Sequence, residues 1–217
     1  MTSDPWARYR SLIRDGLEQA AADIDFTHAQ LVREQLSART LDEELVPAIL
    51  CLRMAESIGA NAESALPGAT ALALLAEMAT VFLSLTSGHG GPSLSTAWGM
   101  PRTLNAGDAF FAAAHHAILA DPQEISGQSR LQAAAILDDA TKGLMEMLNA
   151  GGEGVTVAEG SRTLLPAALL LAGVYAGADD GTVQALKRLG ASWQAMSQPD
   201  LANALGSDLR SALAATA

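Results

Sequence analysis

The stretch Ala69-Thr70-Ala71-Leu72-Ala73-Leu74-Leu75-Ala76-Glu77-Met78-Ala79-Thr80-Val81-Phe82-Leu83-Ser84-Leu85 decides how this chain folds. It holds one charged residue, Glu77, and neither Gly nor Pro. Ala, Leu and Met are among the strongest helix formers, so the spacing predicts a long helix over Ala62 to Leu85. Pro67-Gly68 is expected to interrupt it near its start. The segment is apolar nearly all round. Such a helix is buried on several sides or lies in a subunit interface.

Working outward, the same helical grammar recurs. Upstream, Thr40-Leu41-Asp42-Glu43 is a capping box, predicting a helix through Leu45, Ile49, Leu52 and Met54 towards Gly59. Ser3-Asp4-Pro5 is expected to open a first helix with a stripe at Trp6, Tyr9, Leu12, Ile13, Leu17 and Ala20. A second helix carries Leu31, Val32 and Leu36. Downstream, a glycine-rich loop runs Ser87-Gly88-His89-Gly90-Gly91-Pro92. Asn105 is then expected to cap a helix with Asp108 at its third position, ending about Leu119. Further helices are expected at about 128–149, 161–177, 182–197 and 199–214. No strand-period segment of useful length occurs. The expectation is an all-α, single-domain helical bundle over 1–217, with N-terminal helices in 1–40 and a core in 41–217.

Composition narrows the function classes. The chain has 217 residues, 49% hydrophobic and only 4% aromatic, so Ala, Leu, Val and Met must build the core. Its net charge of −11 and lack of a Lys/Arg cluster argue against nucleic acid and against anionic membrane surfaces. A single cysteine, Cys51, excludes an internal disulfide and a cysteine-based zinc site; its apolar surroundings predict a buried, inert thiol. Met1-Thr2-Ser3-Asp4-Pro5-Trp6 has no secretory pattern, and Leu164 to Ala176 is too short and too rich in Gly and Ala for a membrane span. A cytoplasmic protein is expected.

Groups that carry chemistry are sparse. Asp138-Asp139 falls in mid-helix and reads as a solvated face, while Asp179-Asp180 sits in a turn and reads as a cap. His115 and His116 diverge by about 100° on a helix and do not readily share a metal; one packed and one exposed histidine is the expectation. The glycine loop lacks the Lys-Ser/Thr and the preceding strand of a nucleotide loop. No catalytic residue, metal site or cofactor is expected.

From Pro47 to Leu119 the sequence is similar to the trans-isoprenyl diphosphate synthases, the polyprenyl synthetase family. Pro47 begins a helix ending Ala55-Glu56-Ser57-Ile58-Gly59-Ala60, where the family has Ala-Leu-Gly-Gly. Ala65-Leu66-Pro67 through Ala76-Glu77-Met78 resembles the next family helix, and Gly90-Gly91-Pro92-Ser93 its Gly-x-Pro-Thr. Trp98-Gly99 and Ala106-Gly107-Asp108-Ala109-Phe110 extend the match. Farther on, Ser161-Arg162-Thr163-Leu164-Leu165 looks like the family's Lys-Thr helix start. Gly190-Ala191-Ser192-Trp193-Gln194 looks like its Gly-x-x-Phe-Gln.

The departures from the family fall on its charge-handling groups. Its first Asp-rich motif is deleted: Glu77 to Ser87 runs straight into Gly88-His89, where an arginine pair is expected. The Lys and Arg preceding Pro47 correspond to Glu43 and Val46, and a family His to Thr80. The second motif reads Ser197-Gln198-Pro199-Asp200-Leu201, and the family's C-terminal helices are expected to be missing. Because metals absorb the charge of the leaving diphosphate in that chemistry, the resemblance implies a degenerate member. Its implied role is a non-catalytic subunit that pairs with an active prenyl diphosphate synthase and tunes activity or product length. Pairing, with that partner or with itself, is expected near 62–85 and 105–120. An alternative is a binder of a prenyl chain or lipid in an apolar pocket of Met78, Phe82, Leu83, Phe110 and Phe111. Another is a diverged cyclase or prenyltransferase, with His89, Arg162, Thr163 and Gln194 as its polar groups.

Overall fold

The computed structural model describes residues 6–23, 45–86, 94–120, 125–150 and 155–216. Among them every regular element is helical. Helix α1 spans Ala7–Asp23, α2 Val46–Ser57, and a 3-10 turn Ala62–Ala65 leads into α3, Leu66–Thr86. There follow α4 (Leu94–Trp98), α5 (Met100–Leu119), α6 (Gly127–Ala150), α7 (Val157–Thr163) and α8 (Leu165–Tyr175). The last are α9 (Asp180–Gln194), α10 (Gln198–Gly206) and α11 (Leu209–Ala214). Ser3-Asp4-Pro5, the helix around Leu31, Val32 and Leu36, the Thr40 capping box and the glycine loop lie outside the described residues.

Helix α3 is the axis of the bundle. Leu72, Leu74, Leu75 and Val81 are wholly buried, and α1, α2, α5, α6, α7 and α8 all pack on it. Of the two readings of its all-round apolarity, burial within the chain is the one realised along this helix. Ile13, Leu17 and Ala20 of α1 face the same core, with Trp6, Tyr9 and Leu12 packed at its edge. Trp193 and Phe110 are the largest fully buried side chains in a core made mostly of Leu and Ala. Cys51 is buried, and burial pushes its thiol far above the ordinary range, so it stays protonated. Two apolar helical stretches, Ala62–Leu85 and Val157–Tyr175, are long enough to cross a membrane by length and composition, but they are mostly buried inside the fold.

Several helix starts differ from expectation, and proline explains most of them. Pro67 does not interrupt α3 but sits in its first turn, where a missing N–H costs nothing. The preceding 3-10 turn is capped by Asn61 Oδ1, which accepts from Glu63 N. Asn105 is not a cap: α5 begins at Met100 with Pro101 in the first turn, and Gly99 at φ +79° makes the entry. The expected helix 161–177 is two helices broken at Leu164, ahead of Pro166. Its true start is a capping box in which Thr156 N–H donates to Glu159 Oε2 at 2.8 Å and Thr156 Oγ1 accepts from Glu159 N at 3.3 Å. The Thr156 N–H, and the Thr156 hydroxyl donating to Glu159 Oε2 at 3.0 Å, hold the Glu159 carboxyl below its usual range. The expected helix 199–214 divides at Ser207-Asp208, with Ser197 and Asp208 as the two caps.

Candidate functional site

Four of the five side chains expected to line an apolar pocket are drawn inward where α3 meets α5. Met78, Leu83 and Phe110 are buried, and Phe82 is partly buried one turn after Met78. The two helices approach closely because Gly107 has no side chain; a Cβ there would fall 2.5 Å from the Phe82 ring. Phe82 therefore fills the crossing itself. Phe111 turns the other way, 38% exposed, with its ring against His115. Successive helical residues diverge by about 100°, so Phe110 and Phe111 do not share a pocket.

The polar candidates are engaged structurally. Arg162 Nη1 donates to the carbonyl of Met196 at 3.1 Å, fastening the end of α7 to the end of α9. Thr163 Oγ1 donates back to Glu159 O at 3.1 Å, within its own helix. Gln194 is the exposed last residue of α9. Arg162 is thus brought to the same corner as Gln194, whereas His89 lies outside the described residues. Two polar atoms beside them were not anticipated. Ser161 Oγ and Arg162 Nε are buried and meet no acceptor or donor among the described residues. Only the Gly160-Ser161-Arg162 packing, with Gly160 against Ala79 and Leu144, puts them inside.

Among the described residues the carboxylates do not converge. Asp138 bonds His115 across α5 and α6, its Oδ1 2.7 Å from Nε2. Asp179 caps α9 by accepting from Thr182 N at 2.7 Å, which holds its carboxyl below the usual range. Asp200, the one acid left near the second expected motif, accepts the Ser197 hydroxyl at 2.5 Å at the start of α10. Among the described residues no three His, Cys, Asp or Glu side chains come together as a metal site. The stretch Ser87 to Ser93 contains no carboxylate in sequence. These donors do not fit a magnesium cluster on a diphosphate, which needs several facing carboxylate oxygens.

Three described cavities lie elsewhere. One of about 650 Å³ lies between Ser57, Ile58, Ala178, Asp179, Arg210 and Leu213. A second, about 290 Å³, is walled by Asp15, Gly16, Leu66, Pro67, Thr70 and His116. The third, about 460 Å³, is formed by Tyr9, Arg53, Glu56, Ser207, Asp208 and Arg210. The arginines there are bonded to backbone: Arg53 donates to Leu205 O, and Arg210 Nε to Ser57 O at 2.9 Å. They clasp α10 and α11 to α2.

The outer face of α5 is the conspicuous surface. Met100, Leu104, Phe111 and Leu119 are its exposed large apolar side chains, and Leu131 on α6 is 71% exposed. Among the described residues, no other element exposes a large hydrophobic side chain.

No protein-family model matches this sequence, and neither does any curated protein. Solved structures do. A polyprenyl synthetase from Streptomyces coelicolor A3(2) superposes with a TM-score of 0.70 at 21% identity, over 86% of this chain and 61% of that one. The geranyl diphosphate synthase small subunit from Antirrhinum majus gives 0.72 at 18% identity, covering 96% of this chain and 91% of that one. A chain of the mint heterotetrameric geranyl pyrophosphate synthase, a deletion mutant in complex with ligands, gives 0.71 at 16%, covering 98% of both. The chain thus spans about three fifths of the Streptomyces synthetase and nearly all of the other two. All-helical architecture and these superpositions establish that the chain has the fold of the trans-isoprenyl diphosphate synthases.

Proposed function

We propose that this chain is a non-catalytic, cytoplasmic subunit that pairs with an active prenyl diphosphate synthase and adjusts its activity or product length. The observation that carries the reading is the concentration of exposed large apolar residues on one helix, α5. Monomeric surfaces seldom gather large apolar side chains on one face without a partner. The charge-handling groups supply the second half of the argument. Asp179 is occupied as a helix cap, Asp200 by the hydroxyl of the capping Ser197, and Arg162 as a backbone clasp. The superposition on a small subunit and on a chain of a heterotetrameric synthase agrees with a pairing role.

Co-expression with an intact prenyl diphosphate synthase from the same genome tests this. The expected result is a heteromer that survives size exclusion and releases a product of altered chain length. Separate elution with unchanged product length overturns it. Turnover of prenyl diphosphates with Mg²⁺ by this chain alone would overturn the non-catalytic part.

A further inference from the structure

Thr70 on α3 differs from other threonines inside helices. Thr80, Thr103, Thr141 and Thr163 each donate to the carbonyl four residues back, at 2.9 to 3.1 Å. That bond is the usual outlet for a hydroxyl on a helix. Thr70 does not make it, and its Oγ1 meets no other partner among the described residues. Yet Thr70 is only 4% exposed. A hydroxyl withdrawn from water without a partner costs free energy, so folded proteins seldom leave one in that state.

Thr70 borders the cavity of about 290 Å³ enclosed by α1, α3 and α5. Gly16 on α1 makes room for the hydroxyl: a Cβ there would fall 2.3 Å from Thr70 Oγ1. Ala20 and Thr70 are the buried members of the wall and form its floor, while Asp15 and His116 are exposed at its mouth. Leu66, Pro67 and Ala117 supply apolar sides. Met78 and Phe82 lie two turns or more farther along α3, so this cavity is separate from the crossing they fill.

Size and polarity define what fits. An apolar cavity of about 150 Å³ holds a benzene, so this one takes a body of about ten to twelve heavy atoms. Its sides offer that body hydrocarbon contact, and its floor offers one hydrogen-bonding group. A charged head would meet no counter-charge on the floor, where burial penalises it most. An anionic head would also face Asp15, on a chain whose net charge is −11.

We propose that this cavity is a binding site for a small neutral alcohol, a compact hydrocarbon body whose hydroxyl bonds Thr70 Oγ1. A threonine hydroxyl both donates and accepts, so it matches an alcohol in either sense. The bond gives the buried hydroxyl the partner it lacks, and the hydrocarbon body covers the apolar sides. This site goes beyond the pairing function and does not depend on it.

Protein-detected NMR titration of the full chain, with 2-naphthol and with naphthalene at neutral pH, tests the site. Both probes are expected to shift Ala20, Thr70 and Ala117, with 2-naphthol binding roughly three- to ten-fold more tightly, the yield of one net hydrogen bond. Thr70→Val keeps the shape and removes the hydroxyl. It is expected to unfold at no lower denaturant concentration than the parent and to bring the two affinities together. Ala117→Leu fills the cavity and is expected to abolish binding of both probes, with its helical circular dichroism retained. No shift at these residues with either probe overturns the site and leaves the hydroxyl to water. Equal affinities in the parent, or a 2-naphthol advantage that survives Thr70→Val, overturn the assignment to an alcohol held by Thr70.

Discussion

Helices α3 and α5 are 21 and 20 residues long, cross at Gly107, and are both rich in Ala. One is sealed and the other is half open. Along α3 the residues from Ala69 to Ala79 are buried without a break, because helices from both ends of the chain close over it. On α5, Thr103, Ala106, Phe110, Ala113, Ala114 and Ile118 face inward, while Met100, Leu104, Phe111 and Leu119 are left outside. Apolar content alone therefore does not report burial within one chain. The difference places α3 in the core and leaves α5 as the surface on which the proposed pairing rests.

Truncation at the centre of α3 should do the most damage. Leu74 is fully buried, so Leu74→Ala is expected to cost about 2–5 kcal/mol by denaturant unfolding. A loss under about 1 kcal/mol would mean the helix is less tightly enclosed than its burial indicates.

The crossing itself comes next. Gly107→Val places atoms inside the Phe82 ring position and should cost about 1–3 kcal/mol. Adding Phe82→Ala should recover part of that, since the clash is with this ring; strict additivity of the two changes would contradict the contact.

The outer face of α5 should respond least in stability. Leu104→Ser with Phe111→Ser is expected to shift unfolding by no more than about 0.5 kcal/mol per site, as surface substitutions do. The same variant should lose the heteromer in co-expression. A variant that pairs normally would return α5 to an ordinary surface and remove the contrast between the two helices.

The helical class was legible because Ala/Leu-rich, Gly-free stretches at helical spacing have few alternatives. Caps made by short polar side chains were legible too, as at Asp179, where the turn and the bond to Thr182 agree. Boundaries near proline were harder. Asn105 has the chemistry of a cap, but Pro101 already starts the helix one turn earlier, and a residue inside a formed helix has no free amide to cap. The pocket was harder still. Met78, Phe82 and Phe110 were grouped by resemblance, and packing places Phe82 against Gly107, while Phe111 turns outward against His115. No one-dimensional pattern distinguishes an apolar residue that lines a cavity from one that fills a crossing.

By itself, the sequence determined an all-helical chain, an aliphatic core, a cysteine set among apolar neighbours and carboxylate pairs that read as solvated face and cap, since each follows from residue type and local spacing. Tertiary structure alone decided which apolar helix is covered, that Asp200 and Arg162 are spent on helix ends, and that His115 meets Asp138. Those outcomes depend on residues distant in sequence arriving at the same place, where distance and direction, not composition, set the interaction.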